Sequence, residues 1–402
     1  MGDWGEEVQA SLEVIRRLRP GGLCDIELAR TPTGALRVLK TLKPEFRDRP
    51  DLANMVPREA AILERLDHPS IVRSHGVLRR DGEISLVLEY VVGWSLAAVL
   101  RHLHVRAMRL PRPLVYNVIL QILEALSYLH SARDAEGMRL VTCHQDVSPG
   151  NVVVQPDGTI KLLDFGLSIR QGDDDANSPG FIRGTPGYLT PEQARGHPCD
   201  SRGDVFSAAA VAVALLGDGR SPFAGASVDE VVVATAYGRR QPIPTLLPDV
   251  PTPVTEALEA ALHVDPAKRP GAGNLALDIL GAIEACGESV ANRADVVEHL
   301  AAVLDAPTPA THPASVVQPH AEPQSVVPDD LPELDLSEVV AVSQVEDRVE
   351  VLLDRGLDAM LARDYDKAAG IFREVLSLVP DQPMARTNLT RLETLMANHS
   401  AA

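Results

Sequence analysis

The sequence is poor in several features that mark particular classes of protein. Only four cysteines occur among 402 residues, with no Cys-x-x-Cys pair and no apolar leader ahead of them, so reduced thiols in the cytoplasm are expected. The longest apolar run, residues 205–216, is shorter than the ~20 residues that span a bilayer. It predicts a buried helix, and no membrane span is expected. The formal net charge of -18 argues against nucleic acid or an anionic membrane as the main partner.

Lysine is the scarcest charged residue. Arginine supplies most of the 38 basic residues, and the few lysines are Lys40, Lys43, Lys161, Lys268 and Lys367. A site in the first 150 residues that needs a lysine therefore has two candidates. Lys40 ends an apolar strand at 37–40, whereas Lys43 precedes Pro44 and is expected to be solvated.

The hydrophobic pattern predicts an α+β chain. Strands with turn breaks at 20–22 and 31–34 are expected over 12–40, a helix over 55–67, and two more strands over 71–91. Long helices follow, at 113–131, 203–217 and 272–285, with short strands at 152–165 between the first two. The order predicts a small sheet with one inserted helix, followed by a larger helical part.

Behind this region the composition changes. Residues 306–345 are rich in proline and acids with little periodicity, which is typical of a solvated linker. Residues 346–398 have a helical pattern again, so a small separate module is expected there.

The sharpest chemical pattern is His-Gln-Asp-Val-Ser-Pro-Gly-Asn at 144–151, followed by Asp-Phe-Gly at 164–166. Phosphoryl transfer needs a carboxylate facing the acceptor hydroxyl and hard oxygen ligands for Mg²⁺. The two segments resemble the catalytic loop and the metal loop of protein kinases. The resemblance implies a bilobal protein-kinase fold that uses ATP and Mg²⁺. It implies Asp146 as the base or hydroxyl-orienting residue, and Asn151 and Asp164 as metal ligands.

The same resemblance assigns a nucleotide site. Lys40 resembles the lysine of the VAIK strand, and Glu59 on the inserted helix is its expected partner. Residues 86–96 resemble the hinge between lobes, with Leu88 as gatekeeper and the backbones of Glu89 and Val91 bonding adenine. Apolar residues are expected to sandwich the adenine ring, and these are Ile26, Val38 and Val153.

The glycine-rich loop departs from the family pattern. Its three glycine positions read Arg19, Gly21 and Cys24, so one is kept, and Gly22 compensates in part. Glycines there let backbone N–H groups approach the phosphates. We therefore expect Gly21 and Gly22 to contact the nucleotide in a weakened or reshaped loop.

Residues 184–192 resemble the end of an activation segment. Thr185 holds the position that distinguishes serine/threonine from tyrosine kinases, and its hydroxyl is expected to orient the catalytic aspartate. Glu192 is expected to pair with Arg269, and Asp204 to cap the backbone of the catalytic loop. These scaffold residues oppose the reading as a small-molecule phosphotransferase, which would share the catalytic core but lack them.

Two substitutions in the catalytic loop concern regulation and rate. Gln145 replaces the usual arginine, so weak dependence on activation-loop phosphorylation is expected. Ser148 replaces the lysine that touches the transferring phosphate, so less stabilisation of transition-state charge is expected. This VSPxN loop resembles that of large bacterial kinases of myxobacterial type.

The C-terminal module resembles one tetratricopeptide (TPR) repeat. The matching positions are Leu352, Gly356, Ala359, Ala368, Phe372 and Pro380. Three or more repeats usually bury a continuous core, so one repeat is expected to dock on the kinase, on residues 288–304 or on another chain. Self-association or partner binding is a hypothesis, and a generic helical hairpin is the alternative.

The expected organisation is a kinase domain at 12–286, with an N-lobe at 12–91 and a C-lobe at 92–286. A trailing helix at 287–305, the acidic linker at 306–345 and the TPR-like module at 346–398 follow. The leading hypothesis is a cytoplasmic bacterial serine/threonine protein kinase acting on protein substrates. The alternative is a pseudokinase scaffold that binds nucleotide weakly or not at all and acts through protein contacts.

Overall fold

This computed structural model describes most of the first three quarters of the chain and a shorter part of the rest. The described residues are 12–20, 23–80, 82–134, 137–168, 184–223, 225, 227–303, 352, 365–378, 386, 389 and 392. The chain divides into two units, residues 1–300 and 301–402. Several predictions lie outside the described residues: those for Gly21, Gly22, the linker 306–345, Gly356, Ala359 and Pro380.

A five-stranded antiparallel sheet opens the first unit. Its strands are β1 (Glu13–Pro20), β2 (Cys24–Arg30), β3 (Leu36–Leu42), β4 (Ser74–Arg80) and β5 (Glu83–Glu89), in the order β1-β2-β3-β5-β4. The expected β-sheet N-lobe is confirmed. Strand β3 runs two residues beyond Lys40, because Thr41 and Leu42 continue the pairing with β2. Lys40 therefore lies inside the sheet, between Ile26 and Leu86.

Two helices connect β3 to β4: α1 (Pro50–Ala53) and α2 (Met55–Leu63). Helix α2 buries one face, which carries Val56, Ala60 and Leu63 together with the acidic Glu59. A carboxylate on a buried face is costly unless it is paired. The buried Glu59 carboxylate therefore needs a cationic partner, which the neighbouring sheet can supply.

The helical part confirms the expected C-lobe. Its helices are α3 (Leu96–Val105), α4 (Arg112–Ser131), α5 (Pro191–Ala194), α6 (Ser201–Leu216), α7 (Val228–Ala236), α8 (Ile243–Leu246), α9 (Thr252–Ala261), α10 (Ala272–Ala285) and α11 (Arg293–Val303). A second sheet, in the order β6-β7-β8, consists of β6 (Trp94–Ser95), β7 (Val152–Val154) and β8 (Ile160–Leu162). It lies where the polypeptide passes from the first sheet to the helices, and β8 ends two residues before Asp164.

Helix α6 is the buried helix that the apolar run predicted. Every residue from Gly203 to Leu216 is buried, as expected for a helix that is apolar on all sides. One charged residue, Asp204, lies within this buried stretch. Across the described parts of the chain, no helix combines the length and apolarity needed to cross a membrane.

The segment after α10 is attached to the helical part. The helix expected at 287–305 begins at Arg293, and the residues before it lie along α4 instead. Glu288 accepts a 2.6 Å hydrogen bond from the Tyr116 hydroxyl, and the Asn117 amide donates to the Ala291 carbonyl at 2.9 Å. These polar contacts hold the stretch against α4.

Beyond residue 303 the structure describes one helix, α12 (Tyr365–Leu378), and a few single positions. Ala368, Phe372 and Val375 are buried at spacings of four and three residues, so α12 presents one apolar face. An amphipathic helix fits both a TPR-like repeat and a generic helical hairpin, so the choice between them stays a prediction.

Candidate active site

Lys40 forms the centre of a charged cluster between the first sheet and the loop after β8. Its ammonium lies 2.7 Å from Glu59 Oε2 and 2.6 Å from Asp164 Oδ1, and the residue is 5% exposed. Burial lowers the pKa of Lys40, but the charges of Asp164 and Glu59 outweigh it and hold the pKa above its ordinary value. Lys40 is therefore a fixed cation. Its charge and hydrogen bond outweigh the partial desolvation of the Asp164 carboxyl and hold the pKa of that group below its usual range.

Glu59 links the inserted helix to the Asp-Phe-Gly segment as well as to the lysine. Its second oxygen accepts a 3.1 Å hydrogen bond from the Phe165 backbone N–H. The Phe165 ring is buried and packs edge-on against His144, with ring centroids 4.6 Å apart. A Cβ at Gly166 would lie 3.0 Å from Lys40 Nζ, so glycine keeps the room that this cluster needs.

Asp146 is held by groups on both sides. Its Oδ1 accepts hydrogen bonds from the Thr185 hydroxyl at 2.8 Å and the Thr185 backbone N–H at 3.0 Å. Its Oδ2 accepts from Asn151 Nδ2 at 2.7 Å. Burial raises the pKa of Asp146 above its ordinary value, while the hydrogen bond from Thr185 lowers it.

Asp204 holds the backbone that carries Asp146. Its carboxylate accepts the backbone N–H groups of His144 at 2.8 Å and Gln145 at 3.0 Å, and His130 Nε2 lies 2.7 Å away. Gln145 has φ +73°, a left-handed conformation that is unfavourable for a residue with a side chain. The anchored carboxylate stabilises this strained turn, which directs the following aspartate to its position.

A second scaffold contact is a buried ion pair. Both terminal nitrogens of Arg269 bond Glu192, at 2.7 and 2.8 Å, while Nε donates to the His263 carbonyl at 2.7 Å. The guanidinium lies 4.8 Å from the centroid of the Phe206 ring. The pair connects the helix after the activation segment to the loop before α10.

The segment that resembles a hinge leaves β5 as expected. Val38 pairs directly with Leu88, and Val153 lies on β7 in the second sheet, opposite Ser95. Of the residues expected to sandwich adenine, Val153 is buried, whereas Ile26 and Val38 are partly exposed. The structure thus places apolar groups from both sheets beside the hinge.

The Glu89 side chain has a role that the sequence reasoning missed. It accepts a 2.6 Å hydrogen bond from Lys161 and a 2.8 Å hydrogen bond from the Arg73 backbone N–H. Lys161 also donates to the Ile71 carbonyl at 3.1 Å. Lys161 belongs to β8, so this ion pair joins the hinge to the second sheet. The scarcity of lysine was the available signal, because Lys161 is a rare lysine within an apolar strand.

The residues present fit a divalent metal that is shared with a phosphate. Asn151 donates to Asp146 through its nitrogen, which leaves the amide oxygen as a ligand. Both hydrogen bonds of Asp164 engage Oδ1, and 47% of its side chain is exposed. Among the described residues, no group of three histidines, cysteines or acids could hold a metal by itself. Mg²⁺ suits such a site, since it takes one or two protein oxygens together with substrate phosphates.

Comparison with known proteins agrees with this geometry. The sequence profile of the protein kinase domain matches residues 13–278. The chain belongs to the protein kinase domain family. ATP and a divalent metal follow from that membership.

Named relatives share the kinase domain. Serine/threonine-protein kinase PknA of Mycobacterium tuberculosis is 32% identical over 276 residues, covering 67% of this chain and 60% of PknA. Tyrosine-protein kinase MasK of Myxococcus xanthus is 29% identical over 260 residues, covering 64% of this chain and 40% of MasK. CBL-interacting protein kinase 4 of Oryza sativa subsp. japonica is 34% identical over 233 residues, covering 56% and 48%. The matches thus span about half the length of these relatives.

Proposed function

We propose that this chain is an ATP-dependent serine/threonine protein kinase, which transfers the γ-phosphate of ATP to protein hydroxyls in bacterial signalling. One observation carries the proposal: the Lys40–Glu59–Asp164 cluster and the Asp146–Thr185–Asn151 cluster are both assembled within the first unit. A scaffold that had lost catalysis would not need both clusters.

On the acceptor side, Asp146 is proposed to orient the substrate hydroxyl and take its proton. The carboxylate must be ionised to do so, and the Thr185 hydroxyl favours the ionised form. MasK is named a tyrosine kinase and PknA a serine/threonine kinase, so the relatives differ in acceptor. The bond from Thr185 to Asp146 supports the serine/threonine reading.

On the nucleotide side, Lys40 is proposed to contact the phosphates of ATP, with its position fixed by Glu59. Asn151 and Asp164 are proposed to hold Mg²⁺, which when bound neutralises charge on the phosphate oxygens. The backbones of Glu89 and Val91 are proposed to bond adenine. The ion pair from the Glu89 side chain to Lys161 supports this by directing that side chain away from the adenine edge.

The VSPxN loop is proposed to work without the two basic residues common in the family. Only 2% of Ser148 is exposed, so its position is enclosed by protein and is not open to a long cationic side chain. The Gln145 carbonyl accepts a 2.8 Å hydrogen bond from the Gln193 side chain, which secures the loop from the activation-segment side. Such a contact supports weak dependence on activation-loop phosphorylation.

The C-terminal residues 346–398 are proposed to form a TPR-like module that binds a protein partner or a second copy of the chain. The apolar face of α12 supports this proposal. Deleting 340–402 should then change oligomeric state or partner capture, and an unchanged sedimentation profile and capture would count against it.

A cytoplasmic location is proposed too, supported by four cysteines that are all free.

The deciding experiment measures transfer from labelled ATP with Mg²⁺ to the full-length protein and to a generic protein substrate. Asp146→Asn should lower the rate by roughly 10²- to 10⁴-fold, the range for losing a general base. Asp164→Asn should abolish transfer, because a charged metal ligand is lost. Asp249→Asn is the matched control, since that side chain is 74% exposed, and it should leave the rate unchanged.

Nucleotide binding by the same proteins separates the two hypotheses. A wild type that binds ATP but transfers no phosphate across a broad substrate panel would favour the scaffold hypothesis. Transfer that survives both Asp146→Asn and Asp164→Asn would show that the roles assigned to these carboxylates are wrong.

A further inference from the structure

Two buried cysteines from distant parts of the kinase domain lie in contact. Cys143 Sγ and Cys199 Sγ are 3.2 Å apart, although the residues are separated by 56 positions. Cys143 directly precedes His144 in the catalytic loop, and Cys199 lies between α5 and α6. A disulfide bond is about 2.05 Å long, so closing the pair requires an approach of about 1.2 Å.

Glycine at position 203 leaves room for this pair of sulfur atoms. A Cβ at Gly203, the residue before Asp204, would overlap the Cys199 sulfur, so only glycine lets that sulfur lie against α6. Cys143 Sγ also donates to Asp204 Oδ1 at 3.3 Å. The Cys143 thiol thus contacts the carboxylate that anchors the catalytic loop.

We propose that Cys143 and Cys199 are a dithiol site, which a peroxide converts into a disulfide and which slows phosphate transfer while it is oxidised. The disulfide would close a loop that contains Asp146, Asn151, Asp164 and Thr185. Its formation does not depend on the proposed kinase activity, whereas its effect on transfer does.

The order of reaction follows from exposure. Cys199 is 6% exposed and Cys143 is fully buried, so Cys199 meets the oxidant first. Its thiolate attacks one peroxide oxygen, an S–O bond forms as the O–O bond breaks, and the first water is released after proton transfer. The Cys143 sulfur then attacks the sulfenic sulfur, and a second water leaves. Two thiols lose two electrons and two protons, the peroxide is reduced to two waters, and an added dithiol reverses the change.

The environment makes this a slow site. Burial raises the pKa of the Cys143 thiol well above its ordinary value. The hydrogen bond with Cys143 lowers the pKa of Cys199, but burial and the charges of Asp204 and Glu192 outweigh it. Reaction should therefore quicken as pH rises, since the thiolate is the attacking species.

The effect on transfer follows from the contacts that oxidation removes. Forming the disulfide removes the thiol proton that Cys143 donates to Asp204. The approach of about 1.2 Å between the sulfurs also pulls on Cys143, which directly precedes His144. A displacement of about 1 Å at a catalytic group can lower the rate about 10²-fold. We expect oxidation to lower transfer by about 10- to 100-fold.

The test uses full-length Cys286→Ser protein, because Cys286 is exposed and would cross-link molecules. The reduced protein is treated with hydrogen peroxide, free thiols are alkylated, and peptides are analysed by mass spectrometry in parallel with labelled-ATP transfer. Cys199→Ala and Cys143→Ala in the same background serve as controls. Their thermal unfolding is measured to establish that they fold.

The expected result is a Cys143–Cys199 linked peptide, with transfer lost on oxidation and recovered with dithiothreitol. Cys199→Ala should keep its basal rate and resist the peroxide. Absence of the linked peptide would overturn the site, even if the protein proved to have no kinase activity. A linked peptide without change in transfer, or a peroxide loss that persists in Cys199→Ala, would overturn the regulatory effect.

Discussion

The buried contact between Arg269 and Glu192 gives the sharpest prediction about stability. Arg269 is 1% exposed and Glu192 is 7% exposed, so replacing the arginine leaves a carboxylate in the interior without its cation. Removing one partner of a buried ion pair lowers stability by about 3–5 kcal/mol. Arg269→Met should therefore remove a large part of a total that is typically about 5–15 kcal/mol.

The measurement is urea unfolding of the full-length protein, followed by circular dichroism. Arg269→Lys keeps the charge but loses the paired geometry and the contact with His263, so we expect a smaller loss, about 2 kcal/mol. Arg109→Met is the control, because that arginine is 51% exposed and its surface ion pair contributes about 0–1 kcal/mol.

A double substitution tests the physical cause. If the loss comes from an uncompensated buried charge, Arg269→Met combined with Glu192→Leu should be more stable than Arg269→Met alone. If the free energy of unfolding of Arg269→Met lies within about 1 kcal/mol of the wild-type value, the reasoning is refuted. A loss that small is what an exposed ion pair would give.

Two further predictions concern backbone and pH. Gly93 has φ +151° and a Cβ there would overlap the Val154 carbonyl, so Gly93→Ala should lower the free energy of unfolding by about 1–3 kcal/mol, measured in urea. Gly271→Ala, where a Cβ meets nothing within 4 Å, should leave stability unchanged or raise it by up to about 1 kcal/mol. Thr185→Val removes a hydrogen bond that lowers the pKa of Asp146, so the acid limb of kcat/KM against pH should move to higher pH. An unchanged limb would show that Asp146 is not the group whose ionisation limits the rate.

The sequence was most informative where chemistry and local pattern coincide. The sheet-rich and helical lobes follow from periodicity, and the apolar run at 205–216 does form a buried helix. With only two lysines in the first 150 residues, the charge partner of Glu59 had few alternatives. The structure brings Lys40, Glu59 and Asp164 together, and it places Thr185 on Asp146.

Other features could not be predicted from local sequence, because they depend on how distant segments pack. The Lys161–Glu89 pair joins residues 72 positions apart, and although Lys161 is a rare lysine in an apolar strand, no local pattern identifies Glu89 as its partner. The thiols of Cys143 and Cys199 lie 56 positions apart in the sequence and meet only through the packing of the catalytic loop against the segment before α6. Residues 287–292 were expected to be helical, but Ala291 bonds α4 through both of its backbone groups, to the Asn117 amide and the Pro113 carbonyl.

The contacts of residues 288–303 extend the folding unit beyond the end of the match to the kinase domain. The match to the protein kinase domain profile ends at residue 278, yet Glu288 bonds Tyr116, Ala291 bonds Asn117, and Arg293 packs against Gly158 in the turn between β7 and β8. A fragment cut at the limit of similarity would expose the side of α4 and leave that turn unsupported. The smallest fragment expected to fold alone therefore extends through α11, so a domain excised for crystallisation or drug screening should end after residue 303.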